Sequence, residues 1–289
     1  MRAAEPIASG HVERAGIRLG YEVFGNGDTT ILLLPTWTII HSRFWKMQVP
    51  YLARRYRVIT YDGPGNGRSD RTTDPERYWA EEYAKDAAAV LDACDVDRAV
   101  LMGLSLGAKY GARFAWMFPE RTLGLVMIGP TLNLGIVLPE RQAVFERLFE
   151  PAVDDPEGWE KYNVAYWHTD YPDFAEFFFA QCFPEPHSTK PREDAVEWAA
   201  ETGPDVLEAE SRSSESEPGD ADVLAGLTCP VLVIHGTRDR IAPHTAGEEA
   251  GRLTGGTLAS LTGSGHFPHV RDPVKVNLLL REFVERVTW

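Results

Sequence analysis

Gly103-Leu-Ser-Leu-Gly107 sets a serine between two glycines, directly after the apolar run Ala99-Val-Leu-Met-Gly103 and directly before a helical pattern from Leu106 to Phe118. A strand-to-helix turn of this kind lifts the Ser105 hydroxyl clear of the sheet, and glycines at 103 and 107 let neighbouring backbone approach without a Cβ clash. A helix opening at Leu106 aims its unpaired N–H groups at negative charge that develops beside it. A serine hydroxyl is a weak nucleophile near neutral pH, so it needs a base to take its proton and a third group to orient that base. Two later segments can supply them. Ile234-His-Gly-Thr-Arg-Asp239 carries an acid just past an apolar run, and Leu261-Thr-Gly-Ser-Gly-His266 carries a histidine just past the next. His269 is a rival for the second role, and Asp239 could instead cap its own loop through a salt bridge.

The elements between these residues must bring them together. Ile17, Leu19, Tyr21 and Val23 alternate with other residues, and Ile31–Leu34, Val58–Tyr61, Ala99–Gly103, Leu123–Ile128, Val231–His235 and Thr257–Leu261 are short apolar runs bounded by turn formers. Helical spacing joins Trp79, Tyr83, Ala87, Val90 and Cys94, continues from Leu106 to Phe118, and returns from Pro273 to Val287. This alternation predicts an α/β fold with a doubly wound, mostly parallel sheet. Loops leaving parallel strands emerge at one carboxyl edge, where Ser105, Asp239 and His266 can meet.

One interval breaks the alternation. From Thr131 to Ala225 helical patterns are separated by Pro139, Pro151, Pro156, Pro172, Pro184, Pro191 and Pro204, with no strand signal. The reading is a core of residues 1–130 and 226–289 interrupted by a helical cap at 131–225. Between Trp159 and Phe183, 10 of 25 residues are aromatic against 11% for the whole chain, so the cap must bury apolar surface against the sheet top. The stretch from Ser211 to Asp222 reads as a solvated return loop.

On the serine turn, the chain order Ser, Asp, His and the insert between strands, the sequence resembles α/β-hydrolase fold enzymes of the capped esterase and epoxide-hydrolase-like branch. The resemblance covers nearly all of the chain outside the cap. It implies Ser105 as nucleophile, His266 as general base and then acid, and Asp239 as the carboxylate that fixes the imidazole tautomer. The family's alternative acid position, after Ile128, reads Gly-Pro-Thr-Leu-Asn and holds no carboxylate. Family members usually carry His-Gly after the third strand, where this chain has Pro35-Thr36. By analogy the backbone N–H of Trp37 would join that of Leu106 as an oxyanion hole. Threonine at a position where the family's glycine can reach positive φ predicts strain in this loop. The Thr36 or Thr38 hydroxyl could serve as donor instead, and Trp37 could be a pocket wall. His41 reads either as a polar helix start or as a pocket contact.

Related dehalogenases and epoxide hydrolases use aspartate at the turn, so Ser105 disfavours both reactions. Acyl transfer to water is the leading expectation: a small, apolar or aromatic carboxylic ester, held by Trp37, His41, Trp159, Tyr166 and Trp167. Thioesters, lactones, amides and C–C bonds need the same machinery, and the same fold can serve as a non-catalytic receptor for a small molecule.

Composition narrows the partners. With 43 acidic residues against 29 basic ones among 289, the formal charge is −14, which argues against nucleic acid or anionic lipid as partner. Subunit number is not written in the residues. No apolar run approaches the ~20 residues that span a bilayer, and Met1–Ala15 lacks a leader pattern, so the expected location is cytoplasmic. Three dispersed cysteines and eight scattered histidines suggest neither disulfides nor a metal site. The glycines of Tyr61-Asp-Gly-Pro-Gly-Asn-Gly-Arg-Ser69 miss G-x-G-x-x-G spacing, so that turn reads as structural and no cofactor is expected.

Overall fold

A computed structural model of the chain describes residues 4–213 and 217–288. Eight strands form one sheet in the order β1-β2-β4-β3-β5-β6-β7-β8: β1 Ala8–Arg14, β2 Ile17–Phe24, β3 Thr30–Leu33, β4 Arg57–Tyr61, β5 Ala99–Leu104, β6 Thr122–Ile128, β7 Val231–Gly236 and β8 Thr257–Leu261. β1, β2 and β4 pair antiparallel, and every pairing from β4 through β8 is parallel. The sheet is therefore doubly wound and mostly parallel, as the alternation of runs predicts. β1 is the strand that the sequence pattern did not give. It lies at the sheet edge with no fully buried residue, so no apolar alternation marks it.

Every residue of β3, β5 and β7 is buried, because helices cover both faces. Leu33, Val100, Met102, Val126, Ile128 and Ile234 point to one face, against Val276, Leu280, Phe283 and Val284 of the Pro273–Val287 helix. Leu32, Leu34, Leu101, Leu125 and Val233 point to the other, against the Ala80–Ala93 and Leu106–Met117 helices. Each such side chain removed from water contributes about 1.5–3 kcal/mol, and that gain holds the carboxyl edge rigid.

Between β6 and β7 the described residues form only helices: Pro139–Glu146, Val164–Thr169, Tyr171–Cys182, Thr189–Ala199, Pro204–Ser211 and Asp220–Ala225, with a 3-10 turn at Gly158–Lys161. The last of these packs with the sheet-covering helices through Val223 and Leu224. The stretch expected to be a solvated loop is thus shorter than its composition suggests. Ser211 ends one helix, and Asp220 is buried at the start of the next, where it accepts the Asn133 N–H at 2.7 Å; residues 214–216 lie outside the described residues. Among the described residues no helix is long and apolar enough to cross a membrane.

The turn after β5 leaves no room for a side chain at either glycine. A Cβ on Gly103 would stand 2.1 Å from the Gly107 carbonyl oxygen, and one on Gly107 would stand 2.3 Å from that of Pro35. Neither contact is with a side chain that can swing away. Gly103→Ala should therefore lower the urea-unfolding free energy by at least about 2 kcal/mol. Gly203→Ala, which meets nothing within 4 Å, should cost about 1 kcal/mol or less. Equal costs for the two substitutions would contradict this account of the turn.

Candidate active site

Ser105 sits at φ 55° and ψ −121°, a left-handed conformation that a β-carbon resists. Such a residue typically stores about 1–3 kcal/mol, and the surrounding hydrogen bonds over-determine it. Its N–H donates to Ile128 O at 2.9 Å, and its carbonyl accepts the Thr131 N–H at 3.2 Å. Its Oγ lies 3.0 Å from Thr131 Oγ1. Only 8% of the residue is exposed.

Asp239 is buried in the turn after β7, and His266 in the loop after β8. The carboxylate accepts from four donors: His266 Nδ1 at 2.7 Å, His235 Nε2 at 3.2 Å, Ile241 N at 2.7 Å and Ala242 N at 3.0 Å. Burial by itself would raise the Asp239 pKa. The adjacent His266 and the hydrogen bonds from both imidazoles outweigh it and hold the carboxyl well below the usual range. With Nδ1–H donated to Asp239, His266 keeps Nε2 for a proton acceptor's work. Gly129 closes the gap between this pair and the serine turn. It follows β6 at φ 48°, and a Cβ there would sit 3.2 Å from His266 Nδ1 and 3.4 Å from Asp239 Oδ2. Among the described residues Ser105 Oγ makes its side-chain hydrogen bond with Thr131 and none with His266.

His269, the rival, is fully buried among Phe44, Trp45 and Phe267, with neither ring nitrogen hydrogen-bonded among the described residues. Burial, with His266 nearby, pushes its pKa down to about 3. It does not touch Asp239. Nor, among the described residues, does Asp239 pair with a lysine or arginine: its side-chain hydrogen-bond partners are the two histidines.

The loop after β3 brings Trp37 beside the start of the Leu106–Met117 helix, since Pro35 O and Thr36 Cα both border Gly107. Among the described residues the N–H groups of Trp37 and Leu106 donate to no protein acceptor. Thr36 is not in the left-handed region, so the strain expected from threonine in the glycine position does not arise. Among the described residues its Oγ1 is buried without a partner, whereas Thr38 Oγ1 is committed to Glu210 Oε2 at 2.7 Å. Glu210 also accepts Thr38 N–H at 3.2 Å and the Tyr110 hydroxyl at 3.0 Å. The glycine-rich turn contributes Asn66, whose Nδ2 donates to Thr38 O at 2.6 Å.

The aromatic residues divide into three groups. Trp37 packs on Tyr162 (5.7 Å between centroids), Trp167 (6.2 Å), Phe174 (6.2 Å) and Phe178 (5.0 Å). Trp159 stands one layer out, 6.2 Å from Tyr162. Tyr166, half-buried against the same core, donates its hydroxyl to Asp173 at 2.7 Å and stacks on none of these rings among the described residues. His41 caps the Ser42–Trp45 turn through Nδ1, and its ring faces Trp198 at 5.8 Å. Thr131, His235 and Glu210 were not singled out from the sequence. His235 stands in the quoted Ile234–Asp239 segment, so its spacing to Asp239 was the available signal. No local pattern marks the other two. Among the described residues no group of His, Cys, Asp and Glu could hold a metal ion.

The sequence profile of the alpha/beta hydrolase fold family matches residues 29–273, and the chain belongs to that family. It is 25% identical over 280 residues to 3-oxoadipate enol-lactonase 2 of Acinetobacter baylyi, covering 93% of this chain and 94% of that protein. Among solved structures, the esterase RhEst1 from Rhodococcus sp. ECU1013 superposes with a TM-score of 0.79 at 26% identity, over 96% of this chain and 98% of that one. Est816, described as an N-acyl homoserine lactone degrading enzyme, superposes with a TM-score of 0.75 at 25% identity, over 95% and 100%. These relatives are named as hydrolases.

Glu210 generates a pH prediction. Burial raises its pKa from 4.5 to about 7, against hydrogen bonds from Thr38 and Tyr110 that lower it; the tyrosines 78, 83, 110 and 162 are the titratable groups around it. A carboxyl whose folded pKa is raised binds more protons folded than unfolded between the two values. Stability should therefore fall as pH rises from 4.5 through 7, by on the order of 3 kcal/mol from this group. Urea unfolding of wild type and Glu210→Gln across pH 4.5–8 should give a stability difference that shifts toward the variant with rising pH. A difference independent of pH would show that Glu210 is already ionised in the weakly acidic range.

Proposed function

We propose that this chain is a serine hydrolase cleaving a small carboxylic ester through an acyl-enzyme on Ser105. The observation that carries the reading is the buried Asp239–His266 pair lying one glycine away from a serine held in a left-handed turn. Residues 131–225 act as a cap over the core formed by 1–130 and 226–289. With Ser105 so nearly covered, substrate enters when the cap helices part, and its apolar or aromatic portion lies against Trp37 and the rings packed on it.

In the reaction Ser105 Oγ leaves Thr131 for His266 Nε2; resting hydrogen bonds of this kind commonly tighten only with substrate bound. His266 takes the hydroxyl proton as Oγ attacks the carbonyl carbon. The resulting oxyanion is held by the Trp37 and Leu106 N–H groups, which are otherwise unengaged. His266 passes the proton to the departing alkoxide, leaving the acyl-enzyme. Water then gives a proton to His266 as it attacks, and collapse of the second tetrahedral species returns that proton to Ser105 and frees the acid. Asp239 stays ionised throughout and stabilises the imidazolium.

Lactones are the second reading, favoured by the enol-lactonase and the lactone-degrading neighbour. Ring opening follows the same steps with the leaving alkoxide tethered.

Release of p-nitrophenol from acyl esters of increasing length, beside opening of simple lactones, separates the possibilities. Ser105→Ala should lose at least about 10³-fold in kcat, and His266→Ala and Asp239→Asn should also lose activity heavily. Retained turnover in Ser105→Ala would rule out the acyl-enzyme. Wild-type activity on lactones alone would select the second reading, and ligand binding with no turnover would select a receptor.

A further inference from the structure

Glu210 lies on the Pro204–Ser211 helix of the cap, yet the partners of its carboxylate, Thr38 and Tyr110, belong to the sheet core. The residue is 6% exposed, and among the described residues its carboxylate hydrogen-bonds to Thr38 and Tyr110 and pairs with no lysine, arginine or histidine. A buried carboxylate without a cation is expensive, and a buried amide or leucine would pack the same space at lower cost. What a carboxylate adds is acceptor capacity for several converging donors. Oε2 takes both the N–H and the hydroxyl of Thr38, and Oε1 takes the hydroxyl of Tyr110. Thr38 directly follows Trp37, and Tyr110 stands about one turn beyond Leu106 on the same helix. Tyr110 is fixed in turn by stacking on Tyr83 at 3.8 Å with planes 6° apart. One side chain of the cap thus ties together the two backbone segments that carry the unengaged N–H groups.

We propose that Glu210 is a positioning residue that sets the spacing of the Trp37 and Leu106 N–H groups, so that the oxyanion hole is complete only while the cap is seated. The proposal rests on the hydrolase reading above. Without Glu210 the loop keeps the Asn66 bond to Thr38 O and loses its anchor on the Thr38 N–H and hydroxyl. Trp37 keeps its ring contacts, but its backbone N–H loses the anchor on the residue that follows it. The donors act on charge that exists in the transition state and hardly in the bound substrate, so their loss appears in kcat rather than in KM. The Val206 side chain supports the same seating by packing against Gly65, and Thr202 Oγ1 donates to Gly65 O at 2.8 Å.

The test is a mutant cycle with a readout that does not need turnover. Glu210→Gln keeps the shape but replaces one acceptor oxygen with a donor. It should lower kcat for ester hydrolysis about 10- to 100-fold with KM within about twofold, the scale of a displaced oxyanion donor. Thr38→Val should act in the same direction, and the double variant should be no slower than the poorer single, since both substitutions cut one connection. Amide exchange followed by mass spectrometry should quicken in residues 35–41 of Glu210→Gln and stay unchanged in residues 273–287. Unchanged kcat, an additive double variant, or equal exchange in the loop would overturn the proposal. Should Glu210→Gln fail to fold, Thr38→Val and Tyr110→Phe each remove one hydroxyl from the carboxylate, and full activity in both would overturn it equally. If wild type turns over no ester or lactone, the hydrolase reading has failed, and loop exchange alone decides the coupling: quickened in the variant upholds it, equal exchange rejects it.

Discussion

The charge of Asp239, carried out of water into a turn with two histidines as its side-chain contacts, constrains more of this molecule than any other group. Its partners are two imidazoles and two consecutive backbone N–H groups, and removing a partner from a buried ion typically costs several kcal/mol. That requirement shapes the turn from Gly236 to Ala242. It fixes His266 with Nδ1–H toward the carboxylate. It also fixes His235, whose Nε2 faces both Asp239 Oδ2 and Ala242 O and so carries a hydrogen. Nδ1 of His235 is left bare against Gly247, where a Cβ would come within 2.2 Å. Gly129 answers the same demand from the neighbouring strand.

The sheet makes these arrangements tolerable. A left-handed serine, a buried ion and a second buried carboxylate all raise the free energy of the folded state, and all stand at the carboxyl edge of strands buried on both faces. The apolar contacts of β3, β5 and β7 lie a few residues below the chemistry. They supply the rigidity that keeps Ser105 in an unfavourable backbone conformation, which a looser scaffold would relax.

Much of the frame was legible because it is periodic. Strands apolar on both faces, helices at 3.6-residue spacing and a serine between glycines at a strand-to-helix junction each leave a local signature, so seven of the eight strands and the residues Ser105, Asp239 and His266 can be read in order. β1 left none, since Ala8–Arg14 is an edge strand with no fully buried position. Glu210 was illegible for another reason. Its partner Thr38 lies 172 residues away, and a glutamate in the segment Leu-Glu-Ala-Glu-Ser reads as surface charge until tertiary packing buries it. Tyr166 shows the opposite limit: an aromatic-rich segment suggests a ring packed on the core, but not that its hydroxyl is committed to Asp173. The threonine in the glycine position misled through a family rule about φ that this loop does not use.

Trp37 joins the helical segment between β6 and β7 to the loop beside Ser105. Its N–H belongs to the loop beside Ser105, its ring is gripped by Tyr162, Trp167, Phe174 and Phe178 from the helical segment between β6 and β7, and the residue after it is gripped by Glu210 from the same segment. Under the reading of residues 131–225 as a cap, its opening releases both ends of the residue at once. A ligand that wedges between Trp37 and those rings without restoring their packing would leave the loop unanchored, whereas one that lets the cap reseat would bring the donors back to their places. Under the hydrolase reading, selectivity then lies less in the shape of an open pocket than in which bound molecules permit closure.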